Sequence, residues 1–73
     1  MPYRNYPPHI QRMMIERDNL NDKIDKLGDF MIDLDKFDML DKEDKQLLRL
    51  QYKAMEEYSN ILDERIHKFR NKV

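Results

Sequence analysis

The stretch from Met13 to Leu34 constrains this chain more than any other. Met13, Leu20, Ile24, Leu27, Met31 and Leu34 occupy the apolar slots of a heptad, with steps alternating between four and three beyond Leu20. Arg17 fills the one slot between Met13 and Leu20 where an apolar residue is expected. A helix carrying such an edge cannot hide it alone, so a second apolar surface must cover it.

The rest of the chain supplies that surface. The spacing predicts a first helix from Pro8 or His9 to about Leu34, because proline is tolerated in the first turn. Gly28 inside it costs about 1 kcal/mol relative to alanine, and close approach of another backbone is the expected reason, ahead of room for a ligand. Residues 35–40 break the period, with Phe37, Met39 and Leu40 expected to tuck against the helix ends. Asp41 reads as an N-cap, followed by Glu43 and Asp44 where the helix dipole favours acids. A second helix from about Lys42 to Lys72 then ends on Arg65, His67, Lys68, Arg70 and Lys72, which suit the negative pole.

The second helix carries two apolar stripes. Leu48, Tyr52, Met55, Leu62, Ile66 and Phe69 form a seam, with Ser59 at its narrow point. Leu47, Leu50, Ala54, Tyr58 and Ile61 lie on the adjacent face. A hairpin needs one stripe to close, so the surplus predicts a further buried surface and hence self-association. Size agrees: two helices of about 26 to 30 residues form a rod ~40 to 45 Å long, with little core per residue. The fold class expected is all-α: an antiparallel two-helix hairpin (residues 9–73) with a short N-terminal arm (residues 1–8), assembling into a homo-oligomeric helical bundle. In that arm, Tyr3, Tyr6, Pro7 and Pro8 favour an extended conformation. It reads either as a frayed tail or as a carrier of aromatic rings to a ligand or a neighbouring subunit.

Composition removes several function classes. With 73 residues the chain is one domain at most. It has no Cys, so no disulfide framework or thiolate metal site is expected, which fits a reducing cytoplasm. No apolar run approaches the ~18 residues that span a bilayer, and Met1-Pro2-Tyr3-Arg4 carries no secretory or myristoylation pattern. No membrane partner is therefore expected. Charged residues make up 40% yet sum to −1, which excludes both a strongly basic DNA-binding footprint and a polyanionic DNA mimic.

No catalytic constellation emerges. Ser59 is the single Ser, and Thr and Cys are absent. There is no glycine-rich phosphate loop, and nothing singles out an acid–base pair among the carboxylates. His9 and His67 meet only if the hairpin closes, and surface histidines are the expected reading, so neither a metal nor a cofactor is expected. What remains is basic: Arg12, Arg17, Lys23, Arg65, Lys68 and Arg70 gather mostly at one end of the hairpin. In a symmetric oligomer such patches can converge on an axis and make a phosphate site without a basic net charge. Nearby tyrosines could stack on bases.

Four segments, in order, carry a family resemblance: Pro8-His9-Ile10-Gln11-Arg12-Met13, ERDNLNDKIDKL from Glu16 to Leu27, FDMLDKEDKQLL from Phe37 to Leu48, and MEEYSNILDERIHKF from Met55 to Phe69. Together they resemble the phage anti-CBASS sponge proteins, whose helical hairpin is shared with a class of anti-Thoeris sponges. The resemblance implies a homohexamer of hairpins in the cytoplasm of an infected bacterial host. It implies binding of cyclic dinucleotides, and in many members cyclic trinucleotides, without cleavage, so that the defence effector is never activated.

The resemblance also implies a site. Lys23 matches the family lysine that pairs with a phosphate of the dinucleotide. The family aromatic just before the His-x-Gln-Arg stretch falls on Pro8 here, a departure that leaves two possibilities: Tyr6 stacks on the base, or Pro8 packs flat on it. Arg65 matches the arginine of the separate trinucleotide site, where Phe69 replaces a smaller polar residue. With His9 and Arg12 of the His-x-Gln-Arg stretch, these complete the expected ligand-binding set. The competing reading is a protein-binding helical hairpin, an adaptor or inhibitor that uses the second stripe. A small metal-dependent enzyme ranks third.

Overall fold

The computed structural model describes residues 5–71, and every element in them is helical. Tyr3 of the arm and Lys72 lie outside the described residues. Helix α1 spans Pro8–Ile32, a single-turn helix α2 spans Leu34–Phe37, and α3 spans Lys42–Asn71. The result is a rod of 49 × 21 × 14 Å.

Each boundary has a local cause. Pro8 stands in the first turn of α1, where a missing N–H is harmless, and the Pro7 carbonyl accepts from Ile10 and Gln11. Asp33 ends α1. Its backbone N–H donates to the Phe30 carbonyl, while its carboxylate accepts from the Lys36 N–H and so opens α2. A short polar side chain that bonds neighbouring backbone competes with helix continuation. The first helix therefore stops two residues short of Leu34, the last seam residue. The break leaves Leu34 on the surface, 66% exposed.

The connection differs from expectation in one respect. Phe37 is buried, edge-on to Phe30 at 6.4 Å, with Lys45 Nζ and Arg49 Cζ over its ring at 5.7 and 5.4 Å. Met39 is 86% exposed and Leu40 only half-buried, so one aromatic residue does the docking expected of three. The Phe37 ring fills the small space between the helix ends and leaves none for Met39. The turn that follows is tied down by charge instead: Lys45 reaches back to Asp38 at 3.5 Å, a surface ion pair of modest worth.

Asp41 caps α3 as its position predicts: its carboxylate accepts from the Asp44 N–H at 2.8 Å, and Glu43 and Asp44 occupy the first turn. Asp41→Ala should lower stability by about 1 kcal/mol, read as a lower urea midpoint with an unchanged slope. An unaltered midpoint would mean that solvent caps this end equally well.

The two long helices run antiparallel. Arg17 meets Asp63, Asn21 meets Ser59 and Gly28 meets Tyr52, so each step forward on α1 is matched by an equal step back on α3. The α3 side follows the expected seam: Leu62, Ile66 and Ser59 are buried, and Leu48, Tyr52, Met55 and Phe69 are half-buried. On α1 the contact line is offset from the heptad read in the sequence. It follows Ile10, Met14, Arg17, Asn21, Ile24 and Gly28, with Met13 and Leu20 packed alongside. Two clusters result. Ile10, Met14 and Ile66 close the open end, and Leu20, Ile24 and Leu62 fill the middle.

The polar and small members of this line are matched across the interface. Ser59 is buried and its hydroxyl donates to Asn21 Oδ1 at 2.6 Å, so the narrow point of the seam is a satisfied hydrogen bond. Gly28 admits a side chain where a backbone was expected: a Cβ there would stand 3.3 Å from Tyr52 Cε2. The second stripe of α3 is uncovered in the single chain, with Leu47, Leu50, Tyr58 and Ile61 all about half exposed.

Candidate functional site

Five of the seven expected ligand-binding residues separate into two grooves. The first runs along the flank of α1. Arg12, Ile15, Glu16, Asn19, Leu20 and Lys23 recur at helical spacing and so share one face, and Tyr58 of α3 forms the opposite wall. The groove encloses about 380 Å³. Leu20 is its buried floor, and Arg12 and Lys23, eleven residues apart, stand about 16 Å from one another along the helix axis.

The second groove lies at the open end of the hairpin. His9, Ile10 and Met13 of α1 face Arg65, Lys68 and Phe69 of α3 around about 370 Å³. His9 meets Phe69 edge-on at 6.5 Å. Arg65, Lys68 and His9 line it without a carboxylate, so its sign suits an anion.

Tyr6 and Pro8 line neither groove. Tyr6 folds back on its own chain. Its ring lies 6.1 Å from Phe69 and under the Arg70 guanidinium, its hydroxyl accepts from Arg70 Nε at 3.2 Å, and its carbonyl accepts from Gln11 Nε2. Pro8 is exposed in the first turn of α1.

Charge distinguishes these grooves from the one on the opposite flank. Among the described residues the basic ion-pair partners are Arg17, Lys36 and Lys45, whereas Arg12, Lys23, Arg65 and Lys68 make no ion pair. A groove of about 490 Å³ on the opposite flank is lined by Glu56, Glu57 and Asp63 against a single Lys53, the wrong sign for a phosphate. Arg17, the misfit of the heptad, bridges Asp18 and Asp63 at 3.2 Å each. Partial burial opposes its charge, but the hydrogen bonds and attraction of the two carboxylates outweigh this and hold its pKa above the ordinary value. It is a structural cation already engaged.

His9 and His67 line different grooves, and among the described residues no group of three His, Asp or Glu could hold a metal ion. Among the same residues no helix is long and apolar enough to cross a membrane.

Sequence reasoning placed Tyr58 in the surplus stripe and did not connect it with Lys23. The available signal was its chemistry: it is the one aromatic residue in that stripe, with an apolar body and a polar tip. The pairing itself depends on the register between α1 and α3.

A family model described as Sequestin matches residues 7–68. No curated protein and no solved structure matches the chain.

Proposed function

The chain belongs to the Sequestin family, the phage anti-CBASS and anti-Thoeris sponges, and on that premise we propose that it sequesters cyclic dinucleotides without cleaving them. Family membership implies the coarser role, a non-catalytic protein that sequesters small signalling molecules. The finer reading rests on one observation. Arg12 and Lys23, neither held by a carboxylate among the described residues, border a single groove whose floor is apolar. A cyclic dinucleotide presents phosphates and flat bases, which suit cationic side chains beside an apolar trough.

The open-end groove, with His9, Arg65 and Phe69, is the counterpart for cyclic trinucleotides. The exposed stripe of Leu47, Leu50, Tyr58 and Ile61 supports assembly of copies into a homohexamer, whose mass by light scattering would be about six times the 9.1 kDa chain. Sequestration in the cytoplasm of the infected host would then withhold the messenger from the CBASS effector.

Calorimetric titration with a panel of cyclic di- and trinucleotides, followed by heat denaturation and recovery of the ligand, tests this. Saturable binding with intact ligand released is the expected result. Cleaved ligand would identify an enzyme. Failure to bind any member of the panel would leave a protein-binding hairpin, the reading that the same exposed stripe favours.

A further inference from the structure

We infer that Tyr58, on the second long helix, is the platform on which a base of the bound cyclic dinucleotide stacks. This rests on the reading of the Arg12–Lys23 groove as the dinucleotide site. A phosphate contact fixes only part of such a ligand; its bases need flat apolar partners, and aromatic faces serve them whatever the base. Tyr58 is the sole aromatic residue lining this groove, and it is 46% exposed, so part of its ring is open to a ligand. The other aromatic candidate is committed elsewhere: Tyr6 is held by Phe69 and Arg70 at the open end of the hairpin. Pro8 does not reach the groove lining.

The arrangement divides the work between the two long helices. The α1 face carries the charges, Arg12 and Lys23, and α3 carries the ring across the groove at the level of Lys23. Glu16 lies between the two cations in sequence and lines the same groove. Its carboxylate repels phosphate and accepts hydrogen bonds, so it suits a base edge.

Tyr58 also belongs to the exposed stripe, so the test separates stacking from assembly. Tyr58→Phe keeps the ring, and Tyr58→Leu keeps apolar bulk without it. With cyclic di-AMP and cyclic di-GMP as probes, Tyr58→Phe should bind within about threefold of the unaltered chain, and Tyr58→Leu roughly ten- to a hundredfold more weakly, both at unchanged scattering mass. Because the chain has no Trp, Tyr58→Trp provides a single reporter, and its emission should be quenched in step with calorimetric binding. Undiminished affinity in Tyr58→Leu, or binding by Tyr58→Trp with unaltered emission, would overturn the assignment. So would a fall in mass that accompanies the loss of binding, since Tyr58 would then serve the subunit interface. If the unaltered chain binds neither probe nor any other cyclic dinucleotide, the reading of the groove itself fails, and this assignment with it.

Discussion

Lys23→Glu should weaken cyclic dinucleotide binding at least a hundredfold while leaving helix content and scattering mass unchanged. A charge-assisted hydrogen bond is worth about 1.5 to 3 kcal/mol, and reversal adds repulsion between the new carboxylate and the phosphate. At about 1.4 kcal/mol per tenfold, the combined loss reaches two decades. The fold has little stake in this side chain. Lys23 is exposed, makes no ion pair among the described residues, and Glu is as good a helix former as Lys. Lys53→Glu makes the same change in net charge in the acidic groove on the other flank, and should leave affinity within a few fold. Equal losses from both variants would mean that net charge, not a contact at Lys23, governs binding. Unchanged affinity in Lys23→Glu would remove this groove as the site.

The largest effect on stability is expected at Leu62. Its side chain is 1% exposed, packed with Leu20 and Ile24 and bordered by Met13, Tyr52 and Met55. Leu62→Ala removes that packing and leaves a cavity between two helices that cannot collapse far, because Ser59 and Asn21 are hydrogen-bonded beside it. A loss of about 3 kcal/mol follows, a large share of the ~5 to 15 kcal/mol that stabilises a small domain. A urea titration should show a clear fall in midpoint at constant slope. A shift below about 1 kcal/mol would mean that association, not the Leu62 cluster, holds the hairpin closed.

The fold was largely legible because its causes are local. Pro8 opens the first helix, Asp41 caps the third, and the seam from Leu48 to Phe69 is a strict period that survives into the folded chain. The errors fall where a local choice competed with the pattern. The heptad continues to Leu34, but Asp33 bonds the backbone around it and ends α1 first. Met39 is apolar yet exposed, since Phe37 alone fills the space at the turn. Arg17 and Gly28 looked like flaws in an apolar edge. Each is matched across the hairpin, by Asp63 and by the Tyr52 ring, and neither partner can be found without the pairing register.

The candidate site shows the same division. The sequence alone determined that Arg12 and Lys23 share a helix face, because eleven residues is close to three whole turns. It also determined that α3 has more apolar surface than one partner can cover, because that follows from periodicity. Only the tertiary structure decided that Tyr58 lines the same groove as those cations, that Arg65 shares a groove with His9 and Phe69, and that Tyr6 turns back onto Phe69 and Arg70. The physical reason is that a helix's own period fixes which of its residues are neighbours, whereas neighbours on different helices depend on the register and rotation at which the two surfaces pack.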